Sequence, residues 1–269
     1  MFTDIGLNLG NPQFDKDRDE VIERALQHEV TTLLITGTDL SSSLQAVEYC
    51  HQRSDYFWAT AGLHPHDAKQ FSPQLWSELY DVMTQQKVVA VGETGLDFNR
   101  NFSTPRDQEY SFERHIEAAI TVQKPLFLHE RDAGTRMIDI LSSYRDQLNG
   151  AVIHCFTGNR KTLFGYLDLD LYIGITGWVC DERRGLELQQ LVKHIPQDRL
   201  LIETDAPYLL PRDLKAEQRP ANFNAKTRRN EPCLLPHIAA TIASLTGRER
   251  DEIAQLSSAN AERLFRFRG

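Results

Sequence analysis

VVAVGETGLD, residues 88–97, is an apolar, β-branched run that stops abruptly on a carboxylate, Glu93. A run of that kind is a buried strand, and the acidic side chain at its end must leave the interior at a rim. Three more segments repeat the design: PLFLHERD (125–132) stops on His129, GAVIHCFTG (150–158) on His154, and LLIETDAPY (200–208) on Asp205. One such tip would signify little, because a lone histidine is more often a core residue satisfied by a carbonyl. Four potential metal ligands at four strand tips predict one site assembled from distant sequence. Imidazole and carboxylate together suit zinc, manganese, iron or magnesium.

Working outward, the same strand signature recurs at residues 2–9, 32–38, 57–66 and 171–177, with polar ends at Asn8, Thr38, His64 and Thr176. That makes eight strand candidates, spaced roughly 30 residues apart, about one βα unit each. The stretches between them read as helices. Residues 15–30 carry Val21, Ile22, Ala25, Leu26 and Val30 at helical spacing. Residues 104–124 open with Thr104 as N-cap and Pro105 in the first turn, then bury Phe112, Ile116, Ala119 and Ile120. Residues 183–196 present Leu186, Leu188, Leu191 and Val192, and the tail from about 233 to 267 is helical with breaks near Gly247 and Ser257. Eight strands alternating with helices predict an α/β fold, a (β/α)8 TIM barrel forming one domain over residues 1–269. A doubly wound open sheet is the alternative, but no phosphate-binding glycine motif follows the first strand. In a barrel the strand C-termini surround one mouth, so the polar tips should face one another there.

Bulk properties narrow the function. At 269 residues with a formal net charge of −8, the chain is too acidic to wrap duplex DNA through phosphate contacts alone. No apolar run is long enough to span a bilayer, and the start lacks the layout of a signal peptide, so a cytoplasmic protein is expected. Cys50, Cys155, Cys180 and Cys233 are too scattered for a thiolate zinc site or a disulfide framework. His64 and His66 in GLHPH end the third strand and could contact a phosphate or a metal; His64 is the candidate for substrate. The other histidines (His28, His51, His115, His194 and His237) lie in helical stretches and read as surface or structural. Residues 211–230 set Arg212, Lys215, Arg219, Lys226, Arg228 and Arg229 against Asp213 and Glu217, which suggests a basic overhang beside the Asp205 strand, with Arg228 and Arg229 as phosphate contacts. Phe223 in the same stretch could stack a base.

DIGLNL, GLHPHD, VGETGLDF, LHERDA, HCFTG, YIGITG, ETDAPYL and RRNEP occur in order along nearly the whole chain, which thereby resembles the TatD family of metal-dependent deoxyribonucleases. The resemblance implies a (β/α)8 fold, divalent-metal hydrolysis of phosphodiesters, and a 3′–5′ exonuclease preferring single-stranded DNA, with RNA also possible, in DNA repair or fragmentation. It places metal ligands at Glu93, His129 and His154, with Asp205 as a further ligand or the general base. One departure stands out. The wider family opens with an HxH motif where this chain has Gly6 and Asn8. Losing two imidazoles predicts one tightly bound ion, a second arriving only with substrate, and Mg²⁺ ahead of Mn²⁺ or Zn²⁺. A monomer with no membrane contact and no obligate protein partner is expected. The rivals are a small-molecule amidohydrolase, normally marked by that HxH and a carboxylated lysine, and a scaffold that has lost its metal.

Overall fold

A computed structural model describes residues 1–53, 55–220, 223 and 228–267. Eight parallel strands follow one another in order around a single sheet: β1 Phe2–Leu7, β2 Val30–Ile35, β3 Phe57–Ala61, β4 Val88–Asp97, β5 Leu126–Arg131, β6 Ala151–Ile153, β7 Tyr172–Ile175 and β8 Leu200–Ile202. The open-sheet alternative fails at the seam. Leu7 bridges Ala206, Asp205 N donates to Gly6 O at 2.8 Å, and Asn8 N donates to Ala206 O at 2.9 Å. Asp4 reinforces the closure by accepting from Thr204 N at 2.9 Å and Thr204 Oγ1 at 2.5 Å.

The helices are α1 Arg18–Gln27, α2 Leu40–Gln52, α3 Pro73–Met83, α4 Pro105–Val122, α5 Gly134–Tyr144, α6 Arg160–Asp168, α7 Leu186–Leu191, α8 Leu235–Thr246 and α9 Arg250–Phe265. Thr104 caps α4 as predicted, accepting from Asp107 N at 3.2 Å with Pro105 in the first turn. Three details depart from expectation. Val30 opens β2 rather than closing α1. Leu186 is exposed at the start of a short α7. The tail breaks at Gly247, a left-handed C-cap with φ +69°, but runs unbroken through Ser257, which is buried within α9. Serine lowers helix propensity only slightly, whereas a left-handed glycine satisfies the terminal carbonyls and stops the helix.

Side chains alternate across each strand and so divide into two cores. The outward set, including Leu33, Ile35, Ala59 and Leu128, packs under the helices. The inward set, including Ile5, Leu34, Phe127, Val152 and Leu201, fills the barrel and is sealed at its lower end by Leu264, Phe265 and Phe267. Packing at that end leaves the opposite, C-terminal end of the strands for the polar residues.

Candidate metal centre and substrate cavity

Glu93 is delivered by a bulge rather than by the end of a strand. Val91 pairs with Leu126, but the next pair is Thr94 with Leu128, so β4 carries an extra residue and continues to Asp97. Glycine makes this possible. At Gly92 (φ +147°) an added Cβ would lie 2.1 Å from Phe127 O, and at Gly95 (φ +137°) it would lie 2.1 Å from His129 O. The GETG sequence therefore lets β4 press against β5 while Glu93 turns into the mouth. His129 extends from β5 beside Gly95. His154 follows β6, held by its N–H to Leu128 O at 2.9 Å and by stacking of its ring on Phe127, centroids 4.8 Å apart.

Three imidazoles converge on one buried oxygen. Glu93 Oε1 lies 3.0 Å from His129 Nδ1, 3.0 Å from His154 Nε2 and 3.3 Å from His64 Nε2. Glu93, His129 and His154 offer ligand atoms that all lie within 4.8 Å of one another and could hold a metal ion. His64, His66 and His129 form a second, overlapping set.

The electrostatics fit a cation. Burial alone would raise Glu93, but His154 and the neighbouring imidazoles hold it well below the usual carboxylate range. Burial alone would lower His154 and His129; Glu93 with Glu203 raises the first well above its ordinary value, and Asp97 with Glu93 raises the second. Protons thus gather where the carboxylates create a demand for positive charge, a demand that a divalent cation meets equally well. The donor set, imidazole nitrogens with a carboxylate oxygen, is one that divalent metals use.

Two residues of this centre went unassigned in the sequence reading. Glu203, fully buried, places Oε2 3.2 Å from His154 Nδ1 and accepts the Cys155 N–H on Oε1 at 2.5 Å. Carboxylates behind ligating histidines fix the ring and raise its basicity. Gly6 belongs to the same arrangement, because a Cβ there would meet Glu203 Oε2 at 2.2 Å. Asp97 accepts from His66 Nε2 at 2.6 Å and faces His129 Nε2 at 3.4 Å. Sequence parity was the available signal: Asp97 shares the parity of Glu93, and Glu203 that of Asp205.

Asp205 stands apart from the tight triad. It lies in left-handed backbone (φ +53°), and its Oδ1 accepts from Asn8 Nδ2 at 2.9 Å. Burial raises its pKa to about 7. Asn8 therefore orients Asp205 through its amide N–H. His64 also has a fixed role: Nδ1 accepts from His66 N at 3.1 Å, so Nε2 carries the proton and points at Glu93. Burial lowers its pKa, which keeps the ring a neutral donor.

Among the described residues, two arginines of the predicted basic overhang are paired with carboxylates. Arg229 is buried and bound to Asp17 at 2.6 Å and Glu231 at 2.7 Å, with no side-chain freedom to meet a phosphate. Arg212 faces Asp181 and Glu182, each at 3.6 Å. Phe223 packs with Leu214 and Leu234 instead of offering a ring. Arg228 is exposed but does not line the mouth cavity, and Lys226 lies outside the described residues. That cavity, about 510 Å³, is lined by Glu93, His129, His154, His64, His66 and Asp205 together with Asn11, Arg131 and Tyr208, while Asp97 and Glu203 stand behind its wall. Tyr208 and Phe102, both exposed, were not foreseen; Tyr208 accepts from Asn11 Nδ2 at 3.0 Å, and Phe102 meets the His66 ring edge-on at 4.8 Å.

The sequence profile described as TatD related DNase matches residues 3–266. The chain belongs to the TatD-related DNase family. Among TatD proteins, the 3′-5′ ssDNA/RNA exonuclease TatD of Pectobacterium parmentieri is 51% identical over 264 residues, 98% of this chain and 99% of that one. The protein of the same description from Salmonella typhimurium is 49% identical over 262 residues, 97% of this chain and 98% of that one. A solved TatD homologue from Escherichia coli K12 is 25% identical with a TM-score of 0.85, covering 98% of both chains. A TatD family hydrolase from Entamoeba histolytica, also 25% identical, gives a TM-score of 0.88 over 98% of this chain and 97% of that one. Among the described residues no helix is long and apolar enough to cross a membrane.

Proposed function

We propose that this TatD-family chain is a metal-dependent 3′–5′ exonuclease acting on single-stranded DNA and RNA. The observation that carries the reading is the convergence of Glu93, His129 and His154 at the barrel mouth, in a chain half identical to TatD exonucleases along its whole length. Glu93, His129 and His154 would hold the ion, with Mg²⁺ preferred and Mn²⁺ or Zn²⁺ as alternatives. When bound, it supplies a Lewis acid that neutralises phosphate charge and lowers the pKa of water. The two ligand sets share His129, so ions in the two would compete for one imidazole, which favours a single tightly held ion.

Asp205 is the base. Asn8 occupies one carboxylate oxygen and leaves the other for the attacking water, and burial, which disfavours the ionised form, makes this carboxylate a stronger proton acceptor. His64 Nε2–H donates to a non-bridging phosphate oxygen. Tyr208 and Phe102 present rings on which an unpaired base can stack, a contact open to single strands and denied by a duplex. The amidohydrolase alternative has no support from the cavity, where no lysine lines the described wall. We read the enzyme as a cytoplasmic monomer.

The test is digestion of 3′-labelled and 5′-labelled single-stranded DNA with Mg²⁺, Mn²⁺ or EDTA, with Glu93→Ala as control. Stepwise loss of the 3′ label, abolished by EDTA and by Glu93→Ala, is expected. Failure to cleave with any metal, or cleavage that Glu93→Ala leaves intact, would sink the proposal.

A further inference from the structure

Arg131 ends β5, two residues beyond His129, and its environment is unlike that of the other arginines. Arginines that are not exposed here pair with a carboxylate: Arg18 with Asp15, Arg24 with Glu231, Arg53 with Glu23, Arg114 with Glu117, Arg145 with Asp170, Arg199 with Asp170, Arg229 with Asp17 and Arg248 with Glu252. Among the described residues Arg131 is the exception. It is half-buried, makes no ion pair, and its guanidinium donates once, from Nη1 to Thr157 Oγ1 at 2.9 Å. The Trp178 ring lies 5.9 Å from its charged carbon. Nε and Nη2 have no acceptor among the described residues. Removing a guanidinium partly from water without a counter-charge is costly, and in an acidic chain a carboxylate partner would be easy to provide. The missing anion is therefore to be sought outside the protein.

The position says which anion. The metal-centre cavity and a second cleft of about 500 Å³ share the lining residues Glu130, Arg131 and Thr157, so Arg131 stands where one opens into the other. Neither acid nearby pairs with it: Glu130 Oε1 accepts from Ala133 N at 2.7 Å, and Asp132 Oδ2 accepts from Asn99 Nδ2 at 2.6 Å. Arg136, which also lines the second cleft, is paired with Glu109. The first turn of α5 also borders the cleft and has no side-chain cap, which adds free N–H groups of the same polarity.

We propose that Arg131 binds the internucleotide phosphate next along the strand, on the 5′ side of the scissile one, and that the second cleft carries the strand away from the metal centre. The inference rests on the exonuclease reading. It gives that reading a direction: the 3′-terminal nucleotide enters the cavity, and the uncut remainder leaves past Arg131. A planar fork suits this task better than an ammonium, since it can give two parallel hydrogen bonds to one phosphate.

The experiment compares wild type, Arg131→Gln and Arg131→Lys on a thymidine decamer, on the dinucleotide, which contains the scissile phosphate alone, and on decamers with one neutral methylphosphonate at the second or third linkage from the 3′ end. The Gln variant should lower the ratio of decamer to dinucleotide kcat/KM roughly tenfold or more, the worth of a charge-assisted hydrogen bond, with Lys intermediate. Wild type should lose activity when the second linkage is neutral and much less when the third is, and the Gln variant should lose nothing further at the second. Equal losses on decamer and dinucleotide, or unchanged methylphosphonate sensitivity in the Gln variant, would overturn the assignment while leaving the exonuclease intact. Absence of cleavage by wild type on every substrate would overturn both. Retained thermal stability and metal content of the Gln variant separate these results from misfolding.

Discussion

Glu203 shows how much of the centre depends on a residue that touches no substrate. Its Oε2 holds His154 Nδ1, and its Oε1 takes the N–H of Cys155, where φ is +46°. It therefore sets both the ring orientation and the backbone turn that follows the ligand. Glu203→Gln keeps the shape but removes the charge behind the imidazole. We expect metal affinity to fall about 10- to 100-fold, the usual effect of losing a carboxylate behind a ligating histidine. Nuclease activity titrated against Mg²⁺ or Mn²⁺ should show a shifted midpoint with activity recovered at high metal; an unshifted midpoint would refute the positioning role. The three residues that cluster at the mouth were readable in the sequence because Glu93, His129 and His154 each interrupt an apolar run. Glu203 was hidden by its neighbour Asp205, and Arg229 was misread because charge in a sequence does not reveal its partner. Asp17 and Glu231 account for Arg229 in the fold. Breaking such a buried pair costs about 3–5 kcal/mol. Arg229→Ala should thus lower the urea midpoint strongly, while the salt dependence of DNA cleavage keeps its slope; a reduced slope without destabilisation would restore the phosphate-contact reading.

At the scale of elements, α4 reaches the site through one histidine. His115 is fully buried; Nδ1–H donates to Ser111 O at 2.7 Å, and Nε2 accepts from Leu63 N at 3.0 Å. That second bond anchors the segment immediately before His64. Burial lowers the His115 pKa to about 4 from the ordinary 6.5. The unfolded chain therefore binds the proton more readily than the folded one. The stabilising contribution is complete above pH 6.5 and is lost as pH falls through the interval down to about 4, a change of roughly 3 kcal/mol at most. Urea unfolding from pH 7.5 to 4.5, with His115→Gln beside wild type, should show a steeper acid loss in wild type; parallel curves would refute it. The sequence placed α4, its Thr104 cap and its buried face correctly, because period and capping are local. It could not place the β4 bulge, because that depends on Phe127 O and His129 O approaching Gly92 and Gly95 from a strand some thirty residues away. A partner's proximity is not written in the run it presses on.

For the whole molecule, the division of labour between the two ends of the barrel was foreseeable from strand polarity, and the manner of closure was not. The eight runs and their polar tips predicted which end would hold the chemistry. Nothing in the tail announced that the last aromatic residues would seal the other end, since aromatics at helical spacing serve any buried face. Phe267 packs against Phe265 at 5.5 Å and Trp58 at 5.6 Å between centroids, and it joins the core formed by Ile5, Phe127 and Leu201. It lies 4% exposed, beyond the last turn of α9. Phe267→Ala would open a void at the base of the barrel interior and should cost about 3–5 kcal/mol, as large-to-small changes do where the surroundings cannot collapse. Effects of distant, unconnected sites add, and the metal centre occupies the other mouth. Stability and chemistry should therefore separate. The urea midpoint should drop while the metal-titration midpoint and kcat/KM, measured well below the melting temperature, stay near wild type. A parallel loss of metal affinity in the fully folded variant would show that the plug and the centre are coupled through the strands, and that the two ends of the barrel do not act independently.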